Sequence, residues 1–306
     1  MSLISMLKNA YHGAVISYKV GIRCKGDEQF TILPNPSCEW CADPFVFEHD
    51  GKTYIFAEAY NPFRGRGNIK YCVFDDVINC KDIKWHTIID EPYHLSYPFI
   101  WKDKRGVHIA PESCGINDIH RYDCVNFPDK WEKKAVLLEG KRYADSTFTF
   151  DTEGNLQYCF THEVTGPMRG NLFRYNFRND GIIDKGTEEF ISDNPMICRP
   201  GGHFFKRDGK FFRVAQDGFK DYGERLIFLN VESLQPYREA VAGEINYKQH
   251  PYVENCIGMH TYNTTDKFEV VDFRIKKLSY LRLVCNLVRL CWIIVKKLVK
   301  ILLGRR

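Results

Sequence analysis

One unit recurs five times along the chain, about every 50 residues, and that repeat constrains the fold more than any other feature. The copies occupy residues 43–58, 97–112, 145–162, 200–217 and 258–272. In each, an apolar or aromatic run leads into a polar turn, usually carrying Asp-Gly or Arg-Gly, and a second apolar run follows. That is the pattern of a β-hairpin. A third strand-like run follows most hairpins (69–74, 119–124, 171–175, 226–231), and a fourth often does (85–89, 135–138). Four strands per repeat of this length describe a propeller blade, so the fold expected is all-β, a five-bladed β-propeller. The 14% aromatic content, with 22 Phe and 17 Tyr, suits pleated strands. A β-sandwich, the alternative, would not keep a 50-residue register, taking about 50 from the repeat spacing above.

The fifth copy runs out of strand-like sequence after Phe273, while residues 17–23 and 29–33 precede the first blade with no partner. The N-terminal segment is therefore expected to complete the last blade and remove an exposed edge. This divides the chain into a propeller over 1–273 and a C-terminal amphipathic helix over 274–306.

The net charge of +4 hides that division. Residues 274–306 hold ten Lys or Arg and no acid, so the first 273 residues carry 33 basic against 39 acidic side chains, a net of −6. A body with that deficit does not meet phosphate backbones, and nucleic acid is set aside as a partner. In the tail, Arg282, Asn286, Arg289, Lys296, Lys297 and Lys300 fall in one narrow sector at about 100° per residue, opposite a wide apolar face. The charge-free runs are well short of the roughly 20 residues a span requires. The helix is expected to lie in the membrane interface with its cations towards anionic lipids of the cytoplasmic leaflet. The competing reading is a helix docked on the propeller or in an oligomer. Of twelve cysteines, Cys24, Cys72, Cys159 and Cys198 lie in strand-like runs, and with no cleavable signal peptide evident they predict reduced thiols and a cytoplasmic location. Cys38 and Cys41 form a CxxC without a second pair at zinc spacing, read as structural in preference to metal-binding or redox-active.

First strands surround a propeller's axis, so residues entering them converge at one end of the channel. Those positions are Asp43, Tyr97, Asp145, Arg199 and the Met259-His260 pair. The ends of the second strands add Glu58, Glu112, His162, Gln216 with Asp217, and Asp272. Taken singly, each Asp also reads as a turn cap and each Glu as a solvated group; their recurrence in register favours a site. Converging carboxylates are what glycosyl transfer needs, one to activate the nucleophile and one to protonate the departing oxygen. Asp43, Glu112 and Asp145 are the catalytic candidates, with Trp40, Tyr97, Arg199, Asp217, His260 and Asp272 as substrate-binding candidates. Trp40, Tyr60, Tyr97, Phe99 and Tyr143 offer flat faces for sugar rings or simply pack the blades. No Asp-x-Asp pair stands at a trusted metal position, so no metal and no cofactor are expected.

The segment Trp40-Cys-Ala-Asp43-Pro-Phe with Asp50-Gly-Lys-Thr-Tyr-Ile-Phe resembles the blade-one motif of the five-bladed glycoside hydrolases of family 43 and, more distantly, families 32 and 68. That resemblance implies a general base or nucleophile at Asp43, and at Asp145 the residue that orients the site and tunes the acid. A longer set is similar to a propeller family found in bacterial surface-polysaccharide clusters and as the N-terminal domain of plant glucosamine inositolphosphorylceramide transferases. It comprises Tyr97-Pro-Phe, Pro111-Glu112-Ser, Phe127-Pro-Asp-Lys-Trp131, Arg199-Pro-Gly-Gly, Ala215-Gln-Asp217, Gly258-Met-His260-Thr-Tyr-Asn263 and Val271-Asp272, and spans about 15–273. Family 43 carries its acid as a Glu leading into blade four, whereas this chain reads Cys198-Arg199-Pro200-Gly201-Gly202-His203. An Arg donates no proton at neutral pH, but its planar fork suits a phosphate or carboxylate.

The expectation is a peripheral, inner-leaflet enzyme of surface-glycan assembly that transfers a sugar from a phosphate-activated donor to a lipid-linked saccharide. Asp43 is its base, and Arg199, with His260, steadies the leaving phosphate. A glycoside hydrolase and a non-catalytic glycan-binding module are the alternatives.

Overall fold

The computed structural model describes residues 3–75, 83–166 and 169–302. Each sequence repeat folds as an antiparallel sheet, and five sheets stand around one axis. Blade one is Trp40–His49, Lys52–Asn61, Arg66–Phe74 and His86–Ile89. Blade two is Ser96–Asp103, Gly106–Glu112, Asp118–Asn126 and Lys130–Glu139; blade three is Tyr143–Phe150, Leu156–Gly166, Arg169–Phe177 and Ile183–Ser192. Blade four has a broken first strand (Arg199–Pro200, Phe205–Arg207) before Lys210–Gln216, Arg225–Leu234 and Tyr237–Asn246. In blade five, Cys256–Gly258 and Tyr262–Thr264 pair with Phe268–Lys276, and Ile16–Cys24 and Thr31–Ile32 from the other end of the chain complete the sheet. Ile16 pairs with Lys276 and Cys24 with Phe268, so the ring closes through a continuous ladder between distant segments.

Local chemistry fixes the hairpins. Asp50-Gly51 and Asp208-Gly209 turn with positive φ at both residues (48° and 73°; 50° and 73°), the two-residue geometry whose twist matches paired strands. Below the channel mouth, Phe45, Phe99 and Phe148 from three first strands meet His203, with ring centroids 4.7–5.8 Å apart along the chain of contacts. This aromatic plug floors the axis and leaves one end of the channel for polar groups.

Among the described residues, two α-helices flank the ring. The C-terminal helix α2 covers Tyr280–Leu302 and starts later than the expected 274, because the strand of blade five continues to Lys276. A second helix, α1 (Leu3–Val15), was not expected from the sequence. Part of the polar sector of α2, expected to face lipid headgroups, faces the protein instead. Arg282, Asn286 and Arg289 face the protein: Asn286 Nδ2 donates to the Ala10 carbonyl at 2.9 Å, and an Arg282 Nη donates to that of Ala14 at 3.3 Å. Arg289 reaches blade one, bonds Tyr60 and lies where any side chain at Gly65 would stand. At the end of α1, where carbonyls lack partners within their own helix, Val15 accepts the Lys277 amide and Ala14 the Ser279 amide, with Arg282 adding a second bond to Ala14. The apolar residues Leu281, Val284, Val288, Trp292, Val295 and Val299 therefore point outward, beside Ile4, Leu7 and Tyr11 of α1. The side chains of Lys297, Leu298, Lys300 and Leu302 lie outside the described residues. No helix among the described residues is long and apolar enough to cross a membrane. The described cysteines are free, and burial pushes the Cys41 thiol well above its ordinary range.

Candidate active site

The first strands of blades one to three share one irregularity. Ala42 pairs with Glu58 and Phe45 with Phe56, so one extra residue is inserted; the same step occurs between Ser96 and Phe99, and between Ala144 and Thr147. The inserted turn holds Asp43, Tyr97 and Asp145 at φ of 50°, 44° and 49°. A β-bulge bends the strand and re-aims a side chain, and a left-handed non-glycine residue costs on the order of 1–3 kcal/mol. Three equivalent strained residues at one end of one channel mark that end as the site.

Backbone amides at the bulges tie the blades together. The Asp43 amide donates to Asp272 Oδ2 at 2.9 Å, the Tyr97 amide to Asp43 Oδ2 at 3.2 Å, and the Asp145 amide to Glu112 Oε2 at 3.2 Å. Asp43 Oδ1 accepts from Thr261 Oγ1 at 2.8 Å and has His260 Nε2 at 3.5 Å. His260 Nδ1 lies 2.6 Å from Asp272 Oδ2, and the amides of His260 and Thr261 donate to Asp272 Oδ1 at 3.0 and 3.1 Å. The Tyr18 ring stacks on His260 at 4.8 Å. On the far side of the ring Arg199 Nε bonds Asp145, which also accepts from Gln216 Nε2 at 3.1 Å.

These contacts sort the protonation states. Burial raises Asp43 to about 6, with the His260 charge partly offsetting it. Burial would also raise Asp272, but the charge and hydrogen bonds of His260 and the two backbone amides bring it below the usual carboxylate range. Burial opposes the charge on His260; Asp272 and Asp43 outweigh it and raise the imidazole. Burial, then Asp43 and Glu112, push Glu58 well above the carboxylate range, and burial with Asp145 does the same for Glu112. The ring thus holds a carboxyl raised to about 6 (Asp43), an imidazole and a carboxylate that favour each other's charged form (His260–Asp272), and two carboxyls whose burial favours the neutral form (Glu58, Glu112). Asp43, His260 and Asp272, all buried, also bring ligand atoms within 4.8 Å of one another, the donor types a cation uses.

Of the candidates read from sequence, Asp43, Glu112, Asp145, Arg199, His260 and Asp272 meet in this ring. Tyr97 adds its amide only: its ring is fully buried and its hydroxyl meets Thr147 Oγ1 at 2.8 Å. Trp40 is held between Tyr60, stacked at 4.9 Å, and Tyr18 at 5.0 Å. Asp217, itself buried, pairs with the partly exposed Arg225 at 2.8 Å and accepts the Phe219 amide. Glu58 belongs to the ring, equivalent in register to Glu112; its Oε1 is buried without a hydrogen-bond partner, 3.6 Å from His94 Nε2. Gly67 makes room for it, since a Cβ there would stand 2.7 Å from Oε1. Tyr222 covers the mouth, edge-on to His260 at 5.2 Å and under the Arg199 guanidinium at 5.0 Å.

The family model of the glucosamine inositolphosphorylceramide transferase 1 N-terminal domain matches residues 28–267. Over 222 residues the chain is 29% identical to glucosamine inositolphosphorylceramide transferase 1 of Arabidopsis thaliana, covering 69% of this chain and 28% of that protein. The protein of the same name from Oryza sativa subsp. indica is 24% identical over 209 residues, 65% of this chain and 27% of its own. The chain therefore spans just over a quarter of the length of these relatives. Among solved structures, a family 43 β-xylosidase/α-arabinofuranosidase from a compost metagenome superposes with a TM-score of 0.57 at 12% identity, covering 81% of this chain and 88% of that one. A family 62 α-L-arabinofuranosidase domain from Coprinopsis cinerea gives 0.54 at 11% identity, covering 78% and 91%. At such identities these two establish a shared propeller fold and nothing more.

Proposed function

This chain belongs to the family of the glucosamine inositolphosphorylceramide transferase 1 N-terminal domain, and we propose that it transfers a sugar from a phosphate-activated donor to a lipid-linked acceptor at the inner face of the cell membrane. The name of the plant relatives pairs glucosamine with inositolphosphorylceramide, a sugar with a phosphate-bearing lipid. The observation that carries the reading is Arg199. It stands where the resemblance to family 43 calls for an acid, its Nε is fixed by Asp145, and 22% of its side chain is exposed against 3% for Asp145. A fixed guanidinium at the mouth of a carboxylate ring suits a departing phosphate, which needs charge stabilisation more than a proton. Asp43, raised to about 6, takes the proton of the acceptor hydroxyl, and His260 next to it steadies the carboxylate.

The outward apolar stripe of α1 and α2 supports seating on a lipid surface. Neither helix carries an acidic residue, and Lys296 folds over Trp292 with Nζ 3.5 Å from the ring. Purified protein and its Asp43→Asn variant, given donor and acceptor, test the proposal. Transfer should fall about 10²- to 10⁴-fold in the variant. Equal rates would take Asp43 out of the mechanism.

One observation favours a second reading. The chain matches little more than a quarter of the plant proteins, so the chemistry in their name has room to lie elsewhere in them. In that case the ring is a saccharide-holding module, and binding without turnover, indifferent to Asp43→Asn, is its signature.

A further inference from the structure

Between α1 and blade five lies an open cleft of about 840 Å³ that the ring chemistry does not use. Its lining is of two kinds. Leu7, Tyr11 and Val15 of α1 with Ile16 and Ile257 are apolar; Lys8, Arg274 and Lys276 are cationic, against a single carboxylate, Asp221. That carboxylate is already engaged, 2.8 Å from an Arg274 Nη which also donates to the Tyr222 carbonyl at 2.7 Å. The Arg274 side chain is 9% exposed, and its Nε is buried without a hydrogen-bond partner. An unpartnered guanidinium nitrogen in such a place costs stability unless a ligand accepts from it or reorders the group.

The cleft is continuous with two other features. Leu7 and Tyr11 belong both to its lining and to the outward apolar stripe. Asp221 lines it, and the next residue, Tyr222, is the one that covers His260 and Arg199. A molecule with its tail along α1 would thus have its head against Lys8, Lys276 and Arg274, one loop away from the ring.

The geometry points to a binding site for the anionic, phosphate-bearing head of a lipid in the cleft between α1 and blade five. It deepens the transferase reading, on which its role as the acceptor's seat rests; the binding itself does not depend on it. Lys8 and Lys276 set the charge, Arg274 forms the floor, and the apolar lining selects a lipid over a free phosphate.

The test uses the full chain and calorimetric titration with dihexanoyl phosphatidylglycerol below its critical micelle concentration, so that no membrane is needed. Saturable binding is expected, about tenfold weaker in a Lys8→Glu, Lys276→Glu variant, since both changes are on exposed residues and reverse charge beside the head. An unchanged melting curve shows that the variant keeps its fold. Equal binding by variant and parent overturns the site, as does equal binding of dihexanoyl phosphatidylcholine, which would reduce it to an apolar slot. Inorganic phosphate binding as tightly as the lipid would make it a free-anion site and overturn it too. Binding that survives while Asp43→Asn leaves transfer untouched would sink the transferase reading alone.

Discussion

At the axis, Asp43, Asp145, Asp272, His260 and Glu58 are nearly enclosed, and their bonds run from blade to blade. On the helix pair, Val284, Val288 and Trp292 are more than half exposed, while Asn286 is buried. Both regions invert the ordinary distribution of polar and apolar groups, one by enclosing charge and the other by exposing apolar surface. A buried polar cluster and an exposed apolar patch are the informative departures in a folded chain, because neither helps it fold. The blades supply the stability, through aromatic layers such as Phe45, Phe99 and Phe148. The difference accords with the proposed function, in which the ring takes a polar substrate that shares its hydrogen bonds and the helix pair an apolar medium.

The comparison breaks first at Arg199. Arg199→Gln leaves Asp145 enclosed beside Glu112 without its cation, and the cost should be about 2–4 kcal/mol by denaturant titration, the lower end because Arg199 is partly exposed. Adding Asp145→Asn should restore most of that stability and none of the activity. Restored activity in the double variant would make the pair structural.

A pH profile sharpens it next. With Asp43 raised to about 6, transfer should climb as pH rises through about 6 and level off above. Stability should move the other way. Between the ordinary carboxylate value and about 6 the folded state keeps a proton on Asp43 that the unfolded chain has released, so this residue's contribution to stability falls as pH rises across that window. Asp43→Asn should flatten both curves; an unaltered stability slope would show that another group titrates.

The smallest effect concerns the stripe. Val288→Glu with Trp292→Glu should reduce partition onto anionic vesicles about tenfold and change stability by no more than about 0.5 kcal/mol, since both sites are exposed. Unchanged partition, with a loss of self-association in sedimentation, would instead give the stripe to a second copy of the chain.

The repeat made much of this legible before any coordinates. Register placed Asp43, Glu112, Asp145, Arg199, His260 and Asp272 at one end of the channel. Glu58 occupies the same register position as Glu112, but a lone Glu at a strand end reads as solvated, and only its enclosure behind Gly67 and His94 places it among the acids. Tyr18 and Tyr222 had no periodic signal, since one sits on the closing strand and the other in a loop between strands. Helix α1 has no acid in its first turn and carries a glycine one turn from its end, so its own propensity is weak, and it forms against α2. The period of α2 revealed two faces but not which one turns inward. That depended on contacts with a helix far away in sequence, where Arg282 and Asn286 bond the Ala14 and Ala10 carbonyls.

The central claim is that Arg199, standing in place of an acid, commits the ring to a leaving phosphate. Its most direct test gives the purified protein, with a lipid-linked acceptor present, either a phosphate-activated sugar or an unactivated glycoside of the same sugar, and follows the sugar. The account predicts transfer to the lipid from the first and no reaction with the second. Free sugar released from the unactivated glycoside would contradict it.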